Sequence, residues 1–579
     1  MKKFLIGLFT GVVLCGLIVL ILAFSLVRLG SRPPSVADGS TLMMKLEGEV
    51  PEKAPTEVPI PFLESQSPLT VADVWLTLRK AAADPRIRAV LFEPENLAIG
   101  WARMQELHAE LEQFRKSGKP LVALLRTPGT REYYLATAAD RIYMMPEDML
   151  DLKGLRVEAM YFKGTADKLG VHVDVVHAGR YKDFGDPFTM TSMTPETREV
   201  YNDILDQFYS DLTTTIASGR RKTPGQVRDI IDHGPFNGTE ALAAGLIDAT
   251  GFEDTVAGDL KKRLNQSDLT RLALRAYAKV PAPAGVEGRA RIALVVGEGA
   301  ITRGEDDQSW NGDDTGITSG GFIKLLREVE NDSSIRGAIL RIDSPGGDGI
   351  ASDDILHAAQ ELSRKKPVVI SMGDLAASGG YFIAMTGDPI VAYPNTLTGS
   401  IGVVFMKVNL HGFYDKIGIH KDVLTRGQFA GLYSDYVPLA PAEQAKLRSQ
   451  VDEFYHAFVT RVSAGRKKPF ETIEALAQGR VWLGAQARGN GLIDEIGGLD
   501  RAVELVKQKA KIGAREKITL VVYPPRRSIF DRLMNRDEES PAISGAIRAR
   551  VRALFGDLPV EAFARGGFLK VMPYSITVR

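Results

Sequence analysis

Short runs of apolar residues alternate with polar turns and helical patterns along most of the chain. Residues 337–342 are apolar, the polar turn 343–347 follows, and a helical pattern then continues through Ile355. Residues 367–372 form another apolar run, which leads into a helical pattern that starts near Ser378. Buried strands that alternate with helices predict an α/β fold with mostly parallel strands, whose ligands bind at the strand-to-helix turns.

The same order of elements occurs twice, because the chain is a tandem duplication. Residues 84–91 match residues 332–339, and residues 136–142 match residues 384–390, both at a shift of 248. Further on the shift becomes 246, as the GLID sequence of residues 245–248 recurs later in the chain. This period is much longer than that of a solenoid repeat, so we expect each copy to be a domain.

A long apolar run near the N-terminus predicts a membrane anchor. Residues 5–27 carry no charge, and these 23 residues exceed the roughly 18 to 20 that span a bilayer. A cleaved signal peptide is the alternative, but its apolar region is usually about 7 to 15 residues long. Lys2 and Lys3 favour a cytoplasmic N-terminus, which places the bulk of the chain outside the cytoplasm.

These patterns divide the chain into five segments. We expect an anchor at residues 1–28, a linker at 29–40, repeat one at 41–280, repeat two at 289–523 and a tail at 524–579. Within the tail, residues 542–555 place apolar side chains on one helical face, which predicts an amphipathic helix. Such a helix either lies on an anionic bilayer or packs on a neighbouring subunit.

Composition and charge argue against several classes of function. The 579 residues include 72 Lys and Arg against 72 Asp and Glu, so no excess of positive charge favours nucleic acid as a partner. The single Cys15 cannot form an internal disulfide, and the eight scattered His residues show no zinc-binding spacing. The sequence also lacks a phosphate-binding G-x-x-x-x-G-K-[ST] loop, and we expect neither a metal nor a cofactor.

Two turns of repeat two carry chemistry that repeat one lacks. Ser378 stands beside Gly379 at a predicted helix start, and its counterpart in repeat one is Thr130. The turn at residues 343–347 (DSPGG) ends in two glycines, which its counterpart also lacks. Glycines at such turns let another backbone approach closely.

A third turn shows the reverse difference. Lys182 lies in repeat one, and its counterpart in repeat two is Ala430. Taken alone, a serine before glycines is most often a helix cap, DSPGG is a tight turn, and Lys182 beside Asp183 is an exposed ion pair. Taken together, the three turns complement one another across the duplication, which predicts a single site assembled from both repeats.

A lysine can activate a serine where no histidine is available. No His stands near Ser378 in the sequence, and a desolvated amine has a lowered pKa, which allows it to act as a general base. Ser378 is therefore the candidate nucleophile and Lys182 the candidate base. The backbone amides of Gly346, Gly347 and Gly379 would supply an oxyanion hole for the tetrahedral intermediate.

The most distinctive motifs are residues 343–347 (DSPGG), 376–381 (AASGGY), 398–403 (TGSIGV) and the pair Tyr181-Lys182. Together they resemble the long, duplicated form of the signal peptide peptidase A family, whose members carry a Ser/Lys pair. The resemblance covers about residues 1–523. It implies a Clp-protease/crotonase-like fold in each repeat, with Ser378 as nucleophile, Lys182 as general base and Ser400 as the hydroxyl that positions the lysine amine.

The same resemblance carries expectations about location and substrates. It implies a homotetramer held in the bacterial inner membrane by one span, with its catalytic part in the periplasm. The substrates implied are cleaved signal peptides and unfolded apolar polypeptides, which are degraded without ATP.

Two other classes of function fit parts of the sequence. A crotonase-like acyl-CoA enzyme shares the implied fold and a paired-amide oxyanion hole, but it explains neither a serine opposed to a lysine nor the anchor. A non-catalytic membrane scaffold is the second alternative, since Thr130 and Ala430 indicate that site residues are lost in the opposite copies.

Overall fold

The computed structural model of the protein describes Gly11 and residues 35–55, 68–305, 316–526 and 568–572. Apart from Gly11, the predicted anchor at residues 1–28 lies outside the described residues, as does the predicted tail helix at 542–555. In the described part of the chain, none of the helices has the length and apolar character needed to cross a membrane.

Strands and helices alternate in the first repeat. Its strands are β1 Ser40–Glu47, β2 Ile87–Glu95, β3 Leu121–Leu125, β4 Arg141–Met144, β5 Met149–Leu150, β6 His172–Ala178, β7 Phe236–Asn237, β8 Ala249–Thr250 and β9 Arg271–Ala273. Its helices are α1 Val71–Ala83, α2 Trp101–Arg115, α3 Thr130–Ala136, α4 Lys163–Leu169, α5 Asp186–Thr189, α6 Pro195–Arg220, α7 Pro224–Ile231, α8 Gly238–Ala243, α9 Glu253–Leu264 and α10 Leu274–Ala278. Six strands form a fully parallel sheet in the order β8-β4-β3-β2-β1-β9.

The second repeat and the tail continue the alternation. Their strands are β10 Ala290–Glu298, β11 Ile301–Thr302, β12 Ile317–Thr318, β13 Ile335–Ser344, β14 Gly346–Asp348, β15 Val368–Ala377, β16 Ile390–Ala392, β17 Leu397–Gly399, β18 Val403–Asn409, β19 Val481–Leu483, β20 Glu495–Ile496, β21 Ile518–Tyr523 and β22 Phe568–Val571. Their helices are α11 Ser319–Asn331, α12 Gly349–Lys365, α13 Gly379–Ile383, α14 His411–Lys416, α15 Pro441–Arg466, α16 Phe470–Leu476, α17 Gly484–Asn490 and α18 Leu499–Lys509.

A second sheet runs through repeat two in the order β19-β17-β15-β13-β10-β21, with β16 and β20 attached beside β15. All its pairs are parallel except β17 with β19. The apolar runs at residues 337–342 and 367–372 fall in β13 and β15, so the predicted α/β class with mostly parallel strands is confirmed.

Equivalent contacts recur at the shifts found in the sequence. Helices α6 and α15 both have 26 residues and begin with Pro, and each is followed by a residue with left-handed backbone angles. Tyr133 Oη and Tyr381 Oη each donate to a backbone carbonyl at 2.7 Å, and these tyrosines stand at a shift of 248. Tyr133 and Tyr381 follow Thr130 and Ser378 by three residues. The structure therefore places Thr130 and Ser378 at equivalent positions of the two repeats.

One hydrophobic core is shared by the two repeats. Phe92 and Leu107 of repeat one are buried in the same cluster as Ile292, Val296 and Leu499 of repeat two. Because burial of apolar surface is the main force that holds folded chains together, this shared core stabilises each repeat against the other.

A third sheet crosses between the repeats, in the order β12-β11-β14-β22-β18-β6. Here β6 of repeat one pairs antiparallel with β18 of repeat two, with Ala178 opposite Val403 and His172 opposite Asn409. The chain that leaves β6 after Ala178 is therefore delivered to the surface of repeat two.

Buried charges also join the repeats, and the sequence did not predict them. The Arg341 guanidinium of repeat two is almost fully buried and lies 2.6 Å from Glu52 and 2.5 Å from Glu106 of repeat one. In the reverse direction, Arg103 of repeat one pairs with Asp343, the residue that opens the DSPGG turn. This network ties the turn to both repeats.

Candidate active site

Ser378 and Ser400 lie side by side at the carboxyl ends of neighbouring parallel strands. β15 ends at Ala377, β17 ends at Gly399, and these two residues are opposite each other in the ladder. The amide of Ser378 donates to the carbonyl of Gly399 at 2.8 Å. Both serines are fully buried, and both have a positive φ, 54° at Ser378 and 49° at Ser400. A non-glycine residue in this region costs on the order of 1 to 3 kcal/mol, so the surrounding structure must hold both in place.

Lys182 reaches these serines from the loop that follows β6. The amide of Tyr181 donates to the carbonyl of Gln478 at 2.8 Å, which fastens the loop to repeat two. Gly479 makes this contact possible, because a Cβ on Gly479 would come within 2.6 Å of the backbone nitrogen of Lys182.

Tyr181 is held by a second set of contacts between the repeats. Its hydroxyl donates to Glu199 at 3.0 Å and accepts from the guanidinium of Arg480 at 3.0 Å. Arg480 also lies over the Tyr181 ring, 5.0 Å from its centroid. The sequence marks Tyr181 only as the neighbour of Lys182, and the structure shows that its hydroxyl and ring help to hold the loop from which Lys182 extends.

The amine of Lys182 stands between the two serines. Its Nζ lies 3.0 Å from Ser378 Oγ, 2.9 Å from Ser400 Oγ and 3.0 Å from the carbonyl oxygen of Ser400. The lysine side chain is fully buried, and burial lowers its pKa from 10.5 to about 7, while the negative charge of Asp183 acts in the opposite direction. Asp183 itself accepts a hydrogen bond from Thr197 Oγ1.

The three glycine amides expected near Ser378 are arranged differently. The amide of Gly346 donates to Ser344 Oγ at 3.1 Å, so it is already used inside its own turn. Gly347 and Gly379 lie together, since a Cβ on Gly379 would come within 3.1 Å of the Gly347 nitrogen. Gly379 is the first residue of α13, and its amide has no acceptor within that helix.

Repeat one closes the corresponding turn with a carboxylate. Glu132, the counterpart of Gly380, accepts from the amide of Leu97 at 2.6 Å and from the amide of Gly129 at 2.9 Å. The backbone donors at this corner are therefore satisfied within repeat one. Ala430, the counterpart of Lys182, is exposed.

Comparisons with known proteins agree with a duplicated peptidase. The sequence model of peptidase family S49 matches residues 113–267 and residues 360–513. A chloroplastic serine protease SPPA of Arabidopsis thaliana is 35% identical over 495 residues, which cover 84% of this chain and 71% of the relative. Protease 4 of Salmonella typhi is 29% identical over 567 residues, covering 93% and 88%. Protease 4 of Haemophilus influenzae is 32% identical over 472 residues, covering 76% and 73%. The chain therefore belongs to the serine peptidase family S49, and the family's domain occurs once in each repeat.

Proposed function

We propose that the protein is a serine endopeptidase in which Ser378 is the nucleophile and Lys182 the general base. The observation that carries this proposal is the 3.0 Å approach of Lys182 Nζ to Ser378 Oγ in a fully buried site. With a pKa of about 7, half of the amine is neutral at pH 7. An unperturbed lysine, with a pKa of about 10.4, would be neutral in roughly one molecule in 2,500.

The geometry accounts for each proton in the proposed reaction. The neutral amine keeps its two N–H groups on Ser400 and turns its lone pair to Ser378, from which it takes the hydroxyl proton as Oγ attacks a peptide carbonyl carbon. The amides of Gly347 and Gly379 are the proposed donors to the oxyanion. The lysine ammonium then gives its proton to the leaving amine, and a water molecule repeats the sequence on the acyl ester.

Substitution of the pair tests this assignment. Ser378→Ala and Lys182→Ala should each abolish peptide hydrolysis, and the double variant should be no worse, because both changes remove one activated nucleophile. Lys182→Arg should fail as well, since a guanidinium stays protonated. The exposed Ser333→Ala and Lys262→Ala serve as matched controls and should retain full activity. Appreciable turnover by a variant at Ser378 or Lys182 would contradict the assignment.

Signal peptides and unfolded apolar polypeptides are the proposed substrates. The strands β14 and β18 support this choice, because both pair with an extended strand in the structure, and a stably folded protein does not present an extended segment. The comparison to run is a released signal peptide against a stably folded globular protein, each without nucleotide. Cleavage of the signal peptide alone is expected, and equal digestion of the folded protein or a requirement for ATP would contradict the proposal.

We propose the same domain division and membrane location that the sequence indicates. The described sheets support repeats at 41–280 and 289–523, because α10 ends at Ala278 and β10 begins at Ala290.

The uncharged run 5–27 supports a single-pass anchor in the bacterial inner membrane, with the peptidase part in the periplasm. A chain that begins at residue 29 should leave the membrane fraction, and its retention there would contradict the anchor.

Membership of a peptidase family favours peptide hydrolysis over the activity of an acyl-CoA enzyme.

We further propose that the chain self-associates, as a homotetramer. Within the chain, β6 of repeat one pairs with β18 of repeat two, and at the shift of 248 their counterparts are residues 420–426 and 155–161. These counterparts carry exposed apolar side chains, Leu424 at 92% and Met160 at 71% exposure. Pairing 420–426 of one chain with 155–161 of the next would repeat the internal contact and close a ring.

Sedimentation of the purified chain tests the ring. Leu424→Asp should lower the oligomeric state, because a carboxylate would replace an apolar side chain in the proposed contact. Leu242→Asp is a control, since Leu242 is also exposed but belongs to neither segment. An unchanged sedimentation coefficient for Leu424→Asp would contradict the proposed contact.

A further inference from the structure

The tail contributes a strand that the sequence did not predict, and this strand lies in the candidate active site. β22 pairs antiparallel with β14 on one side and with β18 on the other. β14 begins at Gly346 of the DSPGG turn, and β18 begins three residues after Ser400. The tail strand therefore fills the gap between the two strands that flank the Ser/Lys pair.

The register of β22 brings one carbonyl group to the proposed oxyanion hole. Gly347 lies opposite Lys570, and the amide of Met572 donates to the carbonyl of Pro345 at 2.7 Å. In an antiparallel ladder with this register, the amide of Gly347 donates to the carbonyl of Lys570. A Cβ built on Gly346 would lie 1.9 Å from that carbonyl oxygen and 2.6 Å from the nitrogen of Gly379.

The side chain of Lys570 fills a pocket beside the nucleophile. It is 4% exposed, and its Nζ lies 3.3 Å from the centroid of the Phe382 ring and 5.3 Å from that of Phe458. The carbonyl of Gly349, at 3.4 Å, accepts from Nζ, and among the described residues no carboxylate lies within 4.0 Å of it. Burial lowers the pKa of this amine to about 7. A buried amine that lies against aromatic rings without a salt bridge is a weak anchor for the strand.

We propose that residues 568–572 form a substrate-like strand that occupies the peptide-binding groove of the same chain and inhibits it. The inference rests on the proposed function, because this groove is where an extended substrate would pair with β14 and β18. Lys570 stands at the position of the substrate residue whose carbonyl is attacked. The pocket beneath it selects a long side chain with an apolar stem, which lies against Phe382 and Phe458. Joined to the repeats by residues 527–567, the strand competes with substrate as an intramolecular ligand.

A single substitution in the full chain should release the groove. In Lys570→Asp, a carboxylate would replace the buried amine near Asp348 and Asp353, whose negative charges favour the charged form of the lysine and would repel a carboxylate. If the strand is docked in about nine of ten molecules, kcat/KM for an unstructured peptide should rise roughly tenfold, through a lower KM at constant kcat. Lys262→Asp, at an exposed site in repeat one, is the control and should leave both constants unchanged. Thermal unfolding of each variant shows that it is folded.

A binding measurement separates this proposal from the proposed catalytic function. A fluorescent, capped peptide of residues 568–572 (FLKVM) is titrated into full chains that carry Ser378→Ala, with and without Lys570→Asp. Binding that is tighter by up to about tenfold to the chain with Lys570→Asp supports the occupied groove, even if no variant hydrolyses peptides. Equal binding to both chains, or an unchanged KM in folded Lys570→Asp, overturns the proposal.

Discussion

Low pH should inactivate the proposed peptidase by protonating Lys182. Burial of the lysine amine sets the pH at which this protonation occurs. Burial lowers the pKa of Lys182 from 10.5 to about 7. Only the neutral amine accepts the serine proton, so kcat/KM should fall about tenfold per pH unit below pH 7 and level off about one unit above it. A lysine with an unperturbed pKa of about 10.4 would instead leave the rate rising throughout the range from about pH 6 to about pH 9.

Substitution of two residues near Lys182 shows which group titrates in the pH profile of kcat/KM. Initial rates at low peptide concentration give kcat/KM from about pH 5 to about pH 9 at constant ionic strength. The charge of Asp183 raises the pKa of Lys182, so Asp183→Asn should move the acidic limb to lower pH. His177, on β6, is the control, because a histidine near Lys182 is the other group that could produce an acidic limb. Its Nδ1 lies 3.0 Å from the carbonyl oxygen of Gly179, and burial lowers its pKa. His177→Gln should leave the limb in place.

Either of two results would refute this reasoning. An acidic limb that disappears in His177→Gln would assign the titration to the histidine. A limb at the same pH in wild type and in Asp183→Asn, with both proteins folded, would show that the titrating group does not feel the charge next to Lys182.

Three further predictions concern the duplication, the amine and the interface between repeats. Thr130→Ala and Ala430→Ser should leave kcat/KM within about twofold, because the proposed nucleophile and base are Ser378 and Lys182 and not these counterparts; a loss as large as that of Ser378→Ala would contradict the pairing of the copies. Ser400→Ala should lower kcat by about 10- to 100-fold at constant KM, because the amine loses an acceptor at 2.9 Å; an unchanged kcat would contradict a positioning role. Arg341→Met should lower the free energy of unfolding in urea by about 3 to 5 kcal/mol, because Glu106 stays buried without its cation and Glu52 keeps only Arg103; a loss below about 1 kcal/mol would contradict this.

The α/β class, the duplication and the meeting of Lys182 with Ser378 could be predicted from the sequence, because each depends on a local signal. Apolar runs mark the strands, and the comparison of the two copies shows which turns changed. The direction of a single amide could not be predicted in this way. Gly346 and Gly347 look equivalent in sequence, yet the amide of Gly346 donates to Ser344 Oγ, a contact that depends on the backbone angles of the folded turn.

Two other features had no usable signal. Arg103 and Arg341 belong to a residue type that is usually exposed, and only the packing of both repeats reveals that they are buried among carboxylates. The strand β22 has four residues, Phe568–Val571, which are too few to show an alternating pattern. Its partners lie more than 150 residues away in the chain, so its pairing is a property of the assembled fold.

The division of the site between two repeats also sets the moment in synthesis at which a peptidase can exist. Lys182 leaves the ribosome 196 residues before Ser378, and a nascent chain that ends between them has the proposed base without the proposed nucleophile. Even after Ser378 has emerged, β18 must form and pair with β6 before the lysine can be buried. On the proposed mechanism, the unfinished chain therefore cannot digest itself or the other unfolded polypeptides around it, and β22 is made after both Lys182 and Ser378.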